Sequence, residues 1–170
     1  LAYTCSPIVT TLPLYECRHD RLSVVGEQVV RIEQTRQIVH LADLCNECGN
    51  CATFCVHEGE PFRDKPALYL TASTFRSVDT DGYYIAREEA GLAITRRSGG
   101  RLARLIWKGD QLWYENEYVR ATLHRLNLSI QQVQLKQSLA GTLTLADAIE
   151  MYVVLSGVSA SLPFLPLGLA

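Results

Sequence analysis

The order of apolar and polar positions predicts strands through much of the chain and one long helix. Residues 1–40 read as extended and apolar, punctuated by Pro7, Pro13 and Gly26. Val24-Val25, Gly26-Glu27 and Gln28-Val29-Val30-Arg31-Ile32 read as β-branched runs around a glycine turn, hence a hairpin or meander. Gln37–Leu41 reads as a short strand. Pro61 and Pro66 bound Phe62–Lys65 in a stretch poorly suited to a helix. Residues 70–136 read as antiparallel β. Gly82–Arg87 pairs with Gly91–Arg96, and Ser98-Gly99-Gly100 turns the chain. Leu102–Trp107 meets Gln111–Tyr114 across Lys108-Gly109-Asp110. Tyr118–Leu126 and Ile130–Lys136 supply two more strands. The helix is expected near 144–158. Thr144 is its N-cap, Asp147 its capping-box partner and Gly157 its terminator. The tail, with Pro163 and Pro166, is apolar but broken, as a docking segment would be.

Composition narrows the class. The 170 residues are 48% hydrophobic and 20% charged, which suits a globular chain rather than a disordered tail. A chain of this length buries about 70% of its unfolded surface. The net charge of −2 argues against free nucleic-acid binding. Apolar runs fall short of the roughly 18–20 residues of a membrane span. No basic, then apolar, N-terminal region reads as a secretory signal. The chain starts at Leu1, as a processed product or the visible part of a longer polypeptide does.

Cysteine placement carries the chemistry. Four of the six cysteines fall in Cys45-Asn-Glu-Cys48-Gly-Asn-Cys51-Ala-Thr-Phe-Cys55, a C-x2-C-x2-C-x3-C run. This is the spacing of a bacterial ferredoxin site. Two-residue gaps let three thiolates reach three irons while the intervening N–H groups point at sulfides. Gly49 permits the turn this needs. Zinc knuckles more often set two close pairs well apart. Clustering on this scale fits a metal in a reducing, cytoplasmic setting better than disulfides.

The fourth ligand is a counting problem. In two-cluster ferredoxins the last cysteine of a run serves the other cluster, and this chain has no second run. One [4Fe–4S] cluster is therefore expected, with Cys45, Cys48 and Cys51 as three ligands. Cys17 is the first choice for the fourth, Cys55 competes with it, and Cys5 comes third. A [3Fe–4S] cluster lacking the fourth ligand, and zinc, are the alternatives.

The segment CNECGNCATFCVHEGEPFRDKPAL, its lead-in QIVHLADLCNECGNC and the tail ADAIEMYVVLSGVSASLPFLP resemble the C-terminal ferredoxin segment of the selenate reductase subunit family. Those proteins are large flavin- and iron–sulfur-containing oxidoreductases related to the glutamate synthase small subunit. The resemblance is strongest over residues 28–70. It implies electron transfer between a flavin/NAD(P)H centre and a partner redox centre. FAD and NAD(P) would then sit on missing or partner domains. The family's upstream C-x2-C-x2-C-x3-C-P run is missing, and Val56 stands where ferredoxins carry proline. Both departures argue against a second cluster. No residue supports selenate as substrate.

Other features carry less. His57 could tune or ligate a cluster, though a hydrogen-bonding loop histidine is the plainer reading. Arg63-Asp64-Lys65 reads as a docking patch or a solvated loop. Residues 96–125 hold seven basic against three acidic side chains, which suits polar strand faces better than a steering patch. Trp107, Trp113 and Tyr114 read as cross-strand pairs. No dinucleotide fingerprint, phosphate loop or hydrolase motif appears.

The expected fold class is α+β. A ferredoxin-like iron–sulfur module would span residues 1–70. An antiparallel β-rich docking region with the one helix would span 71–170. The expected function is electron relay inside a larger oxidoreductase, with flavin- or iron–sulfur-containing domains or subunits as partners. The alternative is a structural or interaction subunit whose metal, zinc or a degenerate cluster, only staples the fold.

Overall fold

A two-residue turn organises the first third of the chain. In a computed structural model describing residues 1–54 and 59–168, β1 (Ala2–Thr4) is followed by β2 (Ile8–Arg18) and β3 (Arg21–Ile32). His19 and Asp20 join the last two with φ of 49° and 57°. Positive φ at both central residues defines a type I′ turn, whose twist matches that of the strands it joins. The expected turn at Gly26 is not there. A bulge opposite Leu14 and Tyr15 absorbs this part of the strand, and β3 runs through it unbroken. The valine-rich run lies in one strand because its register with β2 continues on both sides.

The chain then forms β4 (Arg36–Ile38), β5 (His40–Leu41), a 3₁₀ turn at Ala42–Leu44, α1 (Asn50–Phe54), α2 (Pro61–Asp64), β6 (Ala67–Tyr69) and α3 (Ala72–Ser77). The Pro-bounded loop holds a helical turn after all. Pro61 occupies a first-turn position, where its missing N–H costs nothing. Beyond these come β7 (Gly82–Glu88), β8 (Gly91–Ser98), β9 (Arg101–Lys108), β10 (Gln111–Glu115), β11 (Val119–His124), β12 (Ile130–Leu135), β13 (Thr142–Leu143) and α4 (Ala146–Ser161).

Strands β5 to β12 form one eight-stranded sheet in sequence order. From β7 onward it is an antiparallel meander, as the alternation predicts, while β5, β6 and β7 pair in parallel. Strands β13, β2 and β3 form a second sheet, and β1 pairs with β4. The protein is thus mostly β with one long C-terminal helix. This corrects the expected α+β class with a ferredoxin-like module over residues 1–70. Residues 8–32 go into a long hairpin. Residues 40–41 and 67–69 join the large sheet, so the cysteine run lies at that sheet's edge.

Helix α4 packs on β8 and β9 and against β1. Ala148, Ile149, Met151, Val153, Val154, Leu155, Gly157 and Val158 are buried around much of its girth, which marks a core helix. Opposite it, Ile85, Ile94, Leu105, Leu112 and Leu123 are fully buried. Leu145, not Thr144, precedes the first helical residue, and no side chain caps it. The Thr144 hydroxyl is buried without a partner among the described residues, and Asp147 instead pairs with Arg96. Gly157 does not end the helix, which runs on to Ser161, shortly before Pro163. Among the described residues, no helix is long and apolar enough to cross a membrane.

Candidate redox site

The cysteine run is anchored at both ends of a short excursion from the sheet edge. His40 donates its backbone N–H to the Pro66 carbonyl at 2.9 Å, and Val39 and Leu1 exchange N–H···O bonds of 2.8 and 2.7 Å. Asp43 accepts the Leu70 N–H at 2.6 Å, tying the 3₁₀ turn to the chain just beyond β6. The Cys45 N–H closes the turn on the Ala42 carbonyl. Two left-handed residues then bend the loop, Glu47 (φ 53°) and Gly49 (φ 75°). Gly49 takes this conformation without a Cβ penalty.

The bend sends one backbone donor to sulfur. The Glu47 N–H lies 3.3 Å from Cys45 Sγ, and the Cys48 N–H bonds the Asn46 side chain at 3.3 Å. Cys45, Cys48 and Cys51 all line one cavity of about 410 Å³. Leu1, Ile38, Leu41 and Leu44 contribute apolar wall. Cys45 is half-buried, while Cys48 and Cys51 are exposed. Leu44 and Phe54 stand 72% and 82% exposed beside them.

The remaining cysteines lie elsewhere. Cys17 sits on β2 near the hairpin turn, its Sγ 3.7 Å from the Ser138 hydroxyl. It does not line the cavity of the other three. Cys5 donates its thiol to the Gln34 carbonyl at 3.3 Å, and burial pushes its pKa up. Cys55, Val56, His57 and Glu58 fall outside the described residues. Among the described residues, no three His, Cys, Asp or Glu side chains converge on one point as ligands of a single ion do.

Donor chemistry and surroundings fit an iron–sulfur group. Three thiols share one cavity with aliphatic wall, and a backbone N–H already meets sulfur. A cubane distributes its ligands over separate iron corners. A lone zinc needs every sulfur about 2.3 Å from one centre.

His40 is the residue that spacing did not single out. It lines the same cavity, and both ring nitrogens are buried with no hydrogen-bond partner among the described residues. Burial lowers its pKa, helped by the Leu1 ammonium and opposed by Glu47. No signal in the sequence marks it, because its position depends on β5 pairing with β6.

A second cavity of about 750 Å³ shares His40 and Cys45 with the first and extends toward Lys65, Tyr83, Arg96 and Arg97. Its arginines are engaged. Arg96 binds Asp147 and Glu150 at 2.9 and 3.1 Å. Arg97, 9% exposed, donates to the carbonyls of Phe75, Val78 and Thr80 and stacks on the Phe75 ring at 4.3 Å. Arg104, Arg120 and Arg125 pair with Glu88, Glu115 and Asp110. Most of the basic stretch is therefore engaged on the strand faces. Trp107 meets Tyr152 edge-on at 5.8 Å and pairs across strands with Leu112.

No protein-family model matches the chain, and no solved structure matches it. Over 83 residues, 49% of the chain, it is 32% identical to "Putative oxidoreductase YgfK" of Escherichia coli (strain K12), and equally so to the protein of the same name from Escherichia coli O157:H7. The matched stretch is 7% of each of those proteins, so the chain is related to a small part of a far longer protein described as an oxidoreductase.

Proposed function

We propose that the chain is an electron-transfer element of a larger oxidoreductase, with a [4Fe–4S] cluster held by Cys45, Cys48 and Cys51. Cys55 or Cys17 supplies the fourth thiolate; without it the cluster is the three-iron form. The shared cavity of three thiols at iron–sulfur spacing carries this reading. When bound, the cluster supplies reversible one-electron chemistry. The chain's own residues do the rest. The loop after β5 presents the thiolates, and the Glu47 N–H donates to Cys45 Sγ. Leu1, Ile38 and Leu41 give the cavity apolar wall on one side. The exposed Leu44 and Phe54 give a partner redox domain an apolar surface close to the cysteines.

The relatives extend far beyond the matched stretch and are described as oxidoreductases, which supports partner redox domains or subunits; a flavin/NAD(P)H centre among them rests on the family resemblance alone. The cluster reading also agrees with the likeness of CNECGNC to the selenate reductase subunit family, without implying selenate as substrate.

The test is reversible reduction of the anaerobically purified chain, followed by visible absorption and electron paramagnetic resonance. Charge-transfer absorption that bleaches on reduction and returns on reoxidation is expected. It should disappear in Cys45→Ser. A colourless protein whose bound zinc only maintains folding would support the structural-subunit reading instead. Between Cys17→Ser and Cys55→Ser, the variant that loses the four-iron signal identifies the fourth thiolate.

A further inference from the structure

The wall of the cysteine cavity contains a donor with nothing to donate to. Both ring nitrogens of His40 are buried and have no partner among the described residues, whereas folded proteins leave few buried polar atoms in that state. The residue is held by the bond to Pro66 and by the parallel pairing His40↔Ala67. Asp43 also keeps an unpartnered buried oxygen, but an ionised carboxylate has no proton to offer, and Asp43 does not line this cavity. Imidazole carries at least one N–H in either of its ordinary protonation states. The acceptors lining its cavity are the side chains of Asn46, Glu47 and Asn50, none of which bonds it, and the sulfurs of Cys45, Cys48 and Cys51 with whatever they bind.

We propose that His40 is a positioning residue that donates an N–H···S hydrogen bond to the cluster or its Cys45 thiolate and so raises the cluster's reduction potential. The inference rests on the redox reading above. Its physical basis is that reduction adds negative charge to the sulfurs. A fixed donor stabilises that charge more in the reduced state than in the oxidised one. With the Glu47 N–H, His40 would give the Cys45 corner two donors from different elements, the loop and β5.

The experiment is redox titration of the 170-residue chain, wild type against His40→Leu and His40→Gln, with iron and sulfide measured in each. The leucine variant should keep its iron and shift to a more negative potential. The glutamine variant, which retains an N–H donor, should recover part of the shift. Because the leucine variant could fail to fold, the wild type is also labelled with ¹⁵N-histidine and examined by electron–nuclear double resonance. A weak ¹⁵N coupling with an exchangeable proton is expected. A strong coupling means direct ligation and overturns the hydrogen-bond assignment, as does a four-iron His40→Leu protein with unchanged potential. A wild-type chain that assembles no cluster removes the redox reading itself, and this inference with it.

Discussion

Gly157 lies where α4 presses on β1, and one added methyl group there gives a test whose sign is informative. An ideal Cβ on Gly157 would lie 2.7 Å from Tyr3 Cε2, closer still to Tyr3 Cδ2, and 2.9 Å from the Thr4 carbonyl oxygen. The carbonyl cannot rotate away. Thr4 is held by the Ser161 hydroxyl at 3.0 Å, and β1 is paired along its length with β4. Tyr3 is itself only 5% exposed. In an unobstructed helix, Gly→Ala stabilises by about 1 kcal/mol. Overpacking of a tight core costs about 1–3 kcal/mol, and backbone contact places this site toward the upper end. The expected net loss for Gly157→Ala is therefore about 1–2 kcal/mol. With about 2–4 °C per kcal/mol for a chain of this size, the midpoint should fall by roughly 2–8 °C. Thermal unfolding followed by circular dichroism measures it. A midpoint equal to or above wild type would refute the close packing of α4 on β1. The consequence extends to the site, because β1 and β4 bring Leu1 and Ile38 to the cysteine cavity.

Three further outcomes follow from the same structure. Arg97→Met should cost about 2–4 kcal/mol in denaturant unfolding, since it strips three carbonyls of a charged donor; a loss under 0.5 kcal/mol, the ordinary range of surface changes, would show those bonds to be dispensable. Replacing His19-Asp20 by Asn-Gly should raise stability by about 0.5–1 kcal/mol, because that pair suits two positive φ angles; a lower melting midpoint would contradict the turn type. Burial pushes Tyr114 up to about 12 and raises Tyr3 in the same direction. Above pH 10 the unfolded chain loses tyrosine protons that the folded chain keeps, so stability should fall as pH rises through the window 10 to 12. Unfolding curves that do not change across that window would contradict the burial of these phenols.

The meander was readable because two-residue turns separate short alternating runs: Ser98–Arg101 and Lys108–Gln111 close hairpins in the register the pattern implies. Tertiary context governed the rest. Gly26 looks like a turn residue, but it sits by a bulge where β3 continues past β2. Gly157 looks like a helix end, but its missing Cβ is needed by Tyr3. Thr144 and Asp147 have capping-box spacing, yet Arg96 on β8 takes the carboxylate. Cys45, Cys48 and Cys51 line one cavity because they are close in sequence, which the spacing already shows. Spacing could not place Cys17, whose neighbour Ser138 lies 121 residues away, nor identify His40. The ferredoxin fold was inferred from a cysteine run whose described part covers only a bent loop and the short α1, and so short a stretch does not determine the strands around it.

Iron and acid-labile sulfide per chain, measured on anaerobically purified protein by native mass spectrometry, test the central claim most directly. The account predicts four irons and four sulfides on the wild type and their loss from Cys45→Ser, while circular dichroism still reports the β-rich fold. One zinc per chain, or a folded chain that takes up neither iron nor sulfide under anaerobic reconstitution, would contradict it.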